Sequence, residues 1–290
     1  MQKTVDLHVH STESDGTLTP EEVVRAAREA GLAAIALTDH DTVSGVNAAA
    51  ATAKRFDVEL IPGVELSTEY ELPAAGKRHK EVHIIGLFVE PDSPVLLQKT
   101  KEFRDCRDAR NEEMVAALRK EGFDITMEAL YAENPDCVVT RANIARFLFQ
   151  HGCIASVQEA FNKYIGDGCR CYVGRFKVTP MAAVELIHEA GGLAVLAHPI
   201  LYHLNMDVLQ KLIDDLKDVG LDAVEAIYST YTPGEERLIR ELAVKNDLLI
   251  SGGSDFHGEN KPTIRIGTGK GKLCVPYEVL EALKKRVGGR

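Results

Sequence analysis

The chain has 290 residues, 45% hydrophobic and 27% charged, proportions that exclude disorder, a collagen-like repeat and a small disulfide scaffold. Lys plus Arg is 34 against 44 for Asp plus Glu, a formal net charge of −10, so no chain-wide basic footprint exists for duplex DNA and a phosphate-bearing ligand must be met by a local positive site. No apolar run approaches the ~20 residues of a membrane span, and the first predicted strand begins at Val5, which leaves no room for a secretory signal. Six cysteines without a C-x-x-C pair read as reduced packing thiols, so a cytoplasmic protein is expected.

Val5–His10 reads as a strand, and Thr19-Pro20-Glu21-Glu22 is a capping box with proline at the first helical position. Val23, Val24, Ala26, Ala27 and Ala30 fill one face of the helix that follows, and Gly31 stops it. A buried strand is predicted at Ile35–Thr38, a helix near Val43–Arg55, a strand at Leu60–Val64, and a hairpin with arms Leu66–Leu72 and Glu81–Val89. This βαβα rhythm predicts parallel pairing. It breaks between Val95 and Val178, where helices dominate at Leu97–Glu121, Met127–Asn134, Arg141–His151 and Val157–Tyr164, before the turn Gly166-Asp167-Gly168. Alternation then returns with a helix from Thr179-Pro180 to Ala190, strand Leu193–Ala197, helix Val208–Val219 and strand Ala223–Ile227. A helix opened by the Thr232-x-x-Glu235 box, strand Leu248–Ser251 and a final helix Pro276–Val287 complete the chain. About seven strands with one helical interruption predict a barrel-like α/β fold, divided as 1–95, an insertion over 96–178, and 179–290.

The placement of the histidines carries the chemistry. His8 and His10 stand at i and i+2 of a strand, so both imidazoles share a face. His40, Glu65 and His198 each directly follow a predicted strand, and Asp255 and His257 follow Leu248–Ser251 with the same i, i+2 spacing. Asp15 lies in the turn after the first strand, and His83 lies within a strand beside Glu81 and Ile85. In a parallel barrel the C-terminal strand ends meet at one mouth, where active sites are built. Imidazole suits Zn, Mn, Fe or Ni, and carboxylate bridges two cations, so these nine donors serve more than one metal and are expected to hold three. A lone histidine at a strand end is ordinarily structural, and His79, His151, His188 and His203 are read so. Paired spacings together with further strand-end donors point instead to a metal site. Cys169-x-Cys171 has the wrong spacing for a zinc knuckle and is read as free thiols.

The segments Asp6-Leu7-His8-Val9-His10-Ser11, Ser14-Asp15-Gly16, Leu37-Thr38-Asp39-His40-Asp41, Gly63-Val64-Glu65, Val82-His83-Ile84-Ile85-Gly86, Ala197-His198-Pro199 and Gly253-Ser254-Asp255-Phe256-His257 occur in that order. In this the chain resembles the PHP (polymerase and histidinol phosphatase) family along its whole length. The resemblance implies a distorted (β/α)7 TIM-like barrel whose helical insertion caps the substrate. It also implies a division of ligands: His8, His10, Glu65 and Asp255 for one cation, Glu65, His83 and His198 for a second, and Asp15, His40 and His257 for a third. Manganese is the first expectation, with iron or zinc as alternatives. Three divalent cations outweigh three carboxylates, so the mouth would attract phosphate inside an acidic protein.

Within the family the chain looks most like the small phosphoesterases that act on 3′,5′-nucleoside bisphosphates and on the 5′ ends of short RNA. The implied reaction removes a 3′-phosphate through a hydroxide bridging two cations, with no Ser or Cys nucleophile. Asp15, His257 and Asp255 are the candidate catalytic groups. His40, Arg110, Asn111, Arg141 and Asn143 are the candidate substrate contacts. Arg104, Arg107 and Arg110 recur at three-residue spacing along the first insertion helix, with Arg104 read as solvated. Thr140 as N-cap puts Arg141 and Asn143 in the first turn of a helix, a ready anion site; the relatives carry histidine where Asn143 stands. Two rival functions fit the same ligands: a histidinol-phosphate phosphatase, against which the Arg-rich insertion speaks, and a non-catalytic metal-stabilised module, against which the full ligand set speaks. The expected partner is a phosphate-bearing small molecule or short oligonucleotide, with no duplex DNA, membrane or obligate protein partner.

Overall fold

Strand β1 (Thr4–Val9), helix α1 (Pro20–Glu29), β2 (Ala34–Leu37), α2 (Val46–Phe56) and β3 (Glu59–Glu71) follow the predicted rhythm in a computed structural model that describes residues 3–72, 79–133, 135, 137–174 and 178–289. The Thr19 hydroxyl accepts from Glu22 N while the Glu22 carboxylate accepts from Thr19 N at 2.9 Å, so α1 starts where its capping box predicts. β1 pairs in parallel with β2, and β2 with β3. Gly63 permits the close approach of β3 to β2, because a Cβ there would stand 2.8 Å from Leu37 O.

Parallel pairing ends at β4 (His79–Leu87). The predicted strand and first hairpin arm merge into the single 13-residue β3, which turns back antiparallel into β4 from Gly63↔Leu87 to Glu71↔His79. β4 is also antiparallel to β5 (Leu193–Leu196). β4 presents His83 from its interior, as expected, whereas Glu65, expected just past a strand end, lies inside the long β3.

The second half supplies α7 (Pro180–Glu189), β5, α8 (Met206–Asp218), β6 (Ala223–Tyr228), α9 (Pro233–Lys245), β7 (Leu249–Gly253), β8 (Val275–Pro276) and α10 (Tyr277–Val287). Thr232 caps α9 in a second capping box, with Glu235. Strands run in the order β7-β6-β5-β4-β3-β2-β1-β8. The curled sheet meets itself where Val9 bridges Phe256, with His10 N donating to Phe256 O at 3.0 Å and Asp255 N to His8 O at 2.9 Å. Gly253 makes that meeting possible, as a Cβ there would lie 2.5 Å from His8 N. The two-residue β8, too short to show periodicity, pairs antiparallel with Thr4 and Val5. The result is a distorted (β/α)7 barrel. Val5, Leu7, Ile61, Ile85 and Val195 pack together in one core cluster, with Leu280 and Leu283 of α10 against them.

A β-bulge decides which way β1 aims its histidines. Asp6 pairs with Ile35 but Val9 pairs with Leu37, so β1 carries one extra residue. Val5 and Leu7 belong to the cluster that α10 joins, whereas Val9 packs with Val23, Val24 and Leu37 against α1 and α2. The extra residue lets Val9 face the helices while His8 and His10 turn inward. A second bulge lies in β6, between Glu225 and Ile227.

Helices α3 (Pro94–Lys120), α4 (Met127–Glu133), α5 (Arg141–Gln150) and α6 (Val157–Ala160), extended by a π-helical turn over Phe161–Ile165, fill the interval between β4 and α7. They share their own apolar cluster, including Met114, Leu118, Leu130, Ile144 and Leu148. Asn134, the expected end of α4, lies outside the described residues. Among the described residues no helix is long and apolar enough to cross a membrane. All six cysteines are free thiols.

Candidate metal centre

All nine expected donors come together at one end of the barrel. His8 Nε2 and His10 Nε2 are 3.1 Å apart, lie 3.3 and 3.2 Å from Glu65 Oε2, and each stand 3.5 Å from Asp255 Oδ1. Donors held about 2.0–2.2 Å from a shared cation stand roughly 3.0–3.5 Å apart at octahedral or tetrahedral angles. Electron pairs facing one another at this spacing repel unless a positive charge lies between them, so the arrangement fits divalent cations. Glu65 is the centre of the set: Oε1 also meets His83 Nδ1 at 2.9 Å and His198 Nε2 at 3.1 Å, and Oε2 meets His40 Nδ1 at 3.2 Å. Burial alone would raise the Glu65 carboxyl, but the imidazoles of His8, His40 and His83 hold it well below the usual carboxylate range. Burial and the neighbouring His257 push His10 down, which favours its neutral, ligating form.

Four groups could each hold a cation: His8, His10 and Asp255; His8, Glu65 and His198; His40, Glu65 and His83; and His10, Asp15, His40 and His257. His8, His10 and His40 each serve two groups, so the donor groups overlap more than the family division implies. In the last group His257 Nε2 lies 3.1 Å from Asp15 Oδ1, with His10 and His40 at 3.8 and 3.9 Å from the same carboxylate. His198 and Asp255 hold φ of 25° and 55°, left-handed values rare for residues with a side chain, and strain of this kind concentrates at functional sites. The set-aside histidines stay out of the cluster: His188 bonds Asp222 at 3.0 Å and His151 bonds Phe147 O at 2.9 Å.

A supporting layer fixes these rings. Glu225 accepts from His8 Nδ1 at 3.0 Å and from His198 N at 2.8 Å, which orients one imidazole and one ligand-bearing loop. Asp39 accepts from the Ser11 and Ser14 hydroxyls at 2.6 Å each. Tyr228 OH and Lys261 Nζ both reach Asp255 Oδ2 at 2.5 Å. Sequence reasoning missed Glu225, Tyr228 and Lys261. Glu225 had a signal, a carboxylate inside the apolar run Ala223–Tyr228, whereas nothing marks Lys261 in its loop.

A cavity of about 190 Å³ opens over the donors, floored by Asp15, His40, His83 and His257 and walled by Arg107, Arg141 and Lys261. Arg141 pairs with Glu81 and, at 3.3 Å, with Asp167, and its guanidinium stands 5.4 Å from the Tyr172 ring centroid. Other expected substrate contacts do not line the cavity. Asn111 is fully buried and donates to Val139 O at 2.8 Å, which ties α3 to the segment before α5. Asn143 Oδ1 accepts from Thr140 N at 2.7 Å, so its carboxamide completes a capping box rather than facing the cavity. Arg110 is buried behind the wall, where it helps Arg141 lower the pKa of Glu81. Arg104, read as solvated, instead donates to Asp41 O at 2.9 Å.

Residues 6–164 match the family model of the PHP domain. The chain belongs to the PHP domain family. A 5′-3′ exoribonuclease of Haemophilus influenzae is 37% identical over 89% of this chain and 91% of its own. A 3′,5′-nucleoside bisphosphate phosphatase of Chromobacterium violaceum is 35% identical over 87% of both chains. An amidohydrolase from Chromobacterium violaceum, solved with bound sulfate and no metal, superposes with a TM-score of 0.85 at 32% identity, covering 98% of this chain and 96% of that one. A Bifidobacterium adolescentis protein named for metal-dependent phosphoesterase activity superposes with a TM-score of 0.82 at 26% identity over 99% of both chains. This PHP protein is a metal-dependent phosphoric ester hydrolase.

Proposed function

We propose that this PHP hydrolase removes the 3′-phosphate of 3′,5′-nucleoside bisphosphates and also cleaves short RNA from its 5′ end. The observation that carries this reading is a cavity with two kinds of wall, metal-ligating donors beneath and the Arg141 guanidinium from the insertion at the side. The relatives' named substrates support it. Three cations, manganese first, would be held by the nine donors: His8, His10, Glu65 and Asp255; Glu65, His83 and His198; Asp15, His40 and His257. Bound there, they supply Lewis acidity toward phosphoryl oxygens and lower the pKa of water.

The chain's own residues do the rest. Asp15 and His257 floor the cavity, with Asp255 directly behind His257 at 3.3 Å, and these are the groups proposed to act on the scissile phosphate. His40 and Arg141 line the space a nucleotide would fill, and Arg141 would exchange part of its pairing with Glu81 and Asp167 for the second phosphate. Burial would raise Glu81, but Arg141 and then His83 hold it well below the usual carboxylate range, so the wall keeps its charges in place until substrate arrives.

Phosphate release from adenosine 3′,5′-bisphosphate and from the two adenosine monophosphates tests this reading. The bisphosphate is expected to show at least tenfold higher kcat/KM, and chelation is expected to abolish turnover until manganese is restored. Equal turnover of the three nucleotides, or activity indifferent to chelation, would overturn it. A charge-assisted hydrogen bond contributes roughly 1.5–3 kcal/mol, or about tenfold to a hundredfold in kcat/KM. Arg141→Ala should therefore erase most of the bisphosphate preference and leave hydrolysis of a simple aryl phosphate nearly unchanged. Equal losses on both substrates would place Arg141 in the fold or at the chemical step.

A further inference from the structure

The insertion touches the barrel at two residues that flank or belong to a single donor group. Thr140, the N-cap of α5, reaches Asp15 Oδ2 with its hydroxyl at 2.9 Å. The same hydroxyl accepts from Ala142 N at 3.1 Å and lies 2.9 Å from Asn143 Oδ1. A hydroxyl has one proton to give. Asn143 Oδ1 already receives Thr140 N at 2.7 Å, and the carboxylate is the stronger acceptor, so the proton goes to Asp15. The helix cap and the Asp15 contact are thus made by one side chain, with its lone pair turned to the helix and its proton to the barrel.

The second touch is on the other side of the cavity. Arg107 of α3 grips Asp41 Oδ2 through Nε at 3.1 Å and Nη2 at 2.5 Å, and also donates to Ser67 Oγ at 2.8 Å. Asp41 directly follows His40 and sits at φ 52°, a left-handed conformation that this grip helps to hold. Ser67 Oγ in turn lies 3.4 Å from His40 Nδ1. Asp15 and His40 both belong to the group His10, Asp15, His40 and His257. His8, His198 and Asp255 are oriented instead by the barrel residues Glu225 and Tyr228, and the insertion reaches His83 only at one remove, through Arg141 on Glu81, whose carboxylate lies 3.4 Å from His83 Nε2.

We propose that the helical insertion positions the Asp15–His40–His257 cation subsite, through Thr140 on Asp15 and Arg107 on the His40 loop, so that this subsite depends on the docked insertion more directly than the others do. Thr140 and Arg107 are positioning residues here, acting on donors rather than on substrate. The inference rests on the reading that the donors hold cations, and it predicts which cation is lost first when the insertion's grip weakens. Loss of an outer partner of a metal ligand weakens metal affinity by roughly tenfold to a hundredfold.

The test is manganese binding to the full-length protein, by elemental analysis after equilibrium dialysis at graded free Mn²⁺, with the Mn²⁺ electron paramagnetic resonance spectrum recorded alongside. Thr140→Val keeps the shape and deletes the proton donor. It is expected to shift one binding step, about one ion per chain, to at least tenfold higher free Mn²⁺ and to leave the tighter steps in place. Thr140→Ser, which keeps a cap and a proton, should restore that step. Thr232→Val, which removes the cap of α9 far from the insertion, should change no step and so controls for cap loss. Ser67→Ala, a small change tolerated in a strand, should weaken the same step through His40. Wild-type binding curves for both Thr140→Val and Ser67→Ala, or a uniform weakening of every step, would overturn the proposal. Absence of manganese binding by the wild-type protein would instead remove the metal-centre reading beneath it.

Discussion

Glu65→Gln should lower phosphoester turnover by at least about a hundredfold while the protein remains folded, because one carboxylate serves more donor contacts than any other group at the mouth. Its two oxygens lie within 3.3 Å of His8, His10, His40, His83 and His198. Glutamine keeps the shape but halves the number of oxygens and removes the charge that offsets the cations. Its amide also places N–H groups against imidazole lone pairs, which favours hydrogen bonds over metal ligation. The expected readouts are a collapse of kcat on every substrate and a fall in bound metal, measured together. Full metal content with near-normal turnover would show that Glu65 is not a ligand, and the division of donors would have to be redrawn.

Arg107→Ala should destabilise the protein by about 3–5 kcal/mol, the loss expected when a buried ion pair is broken on one side only. Arg107 is 3% exposed and Asp41 is 0% exposed, so the stranded carboxylate gains little from solvent. Ser67 N still donates to Asp41 Oδ1 at 3.0 Å, which keeps the loss at a finite value rather than abolishing the fold. Arg104→Ala removes only a half-buried bond to a neutral carbonyl and should cost about 1–2 kcal/mol. Urea unfolding with an unchanged slope would show the difference as a lower midpoint. Equal effects from the two substitutions would mean that the Asp41 pair carries no special weight.

Much of the candidate metal centre was legible because its donor residues obey local rules. Strand alternation puts His8 and His10 on one face, and a donor just past a strand end lies at the mouth of a barrel, which covers His40, His198, Asp255 and His257, whereas Glu65 lies inside the long β3. The direction of that face was not legible. The bulge between Asp6 and Val9 depends on pairing with β2, a contact between distant residues that a local pattern does not encode. The reversal of β4 was half legible: the hairpin shows in the spacing of its arms, but its second antiparallel partner, β5, lies across the whole insertion in sequence. Three-residue spacing correctly grouped Arg104, Arg107 and Arg110 on α3 but could not tell which would meet a carboxylate, because Asp41 arrives from the barrel. Asn111 and Asn143 looked like ligand contacts by their motif, yet each finds a backbone partner within the insertion. Glu225 could have been found as the lone acid of a buried strand, whose charge must answer to something inside.

The most direct test of a metal centre at this mouth is anomalous diffraction at the manganese edge from crystals of the protein grown with Mn²⁺. Peaks are expected among His8, His10, Glu65 and Asp255, beside His83 and His198, and among Asp15, His40 and His257, each within about 2.0–2.4 Å of its donors. A crystal with manganese elsewhere, or with none within reach of Glu65 at saturating Mn²⁺, would contradict it.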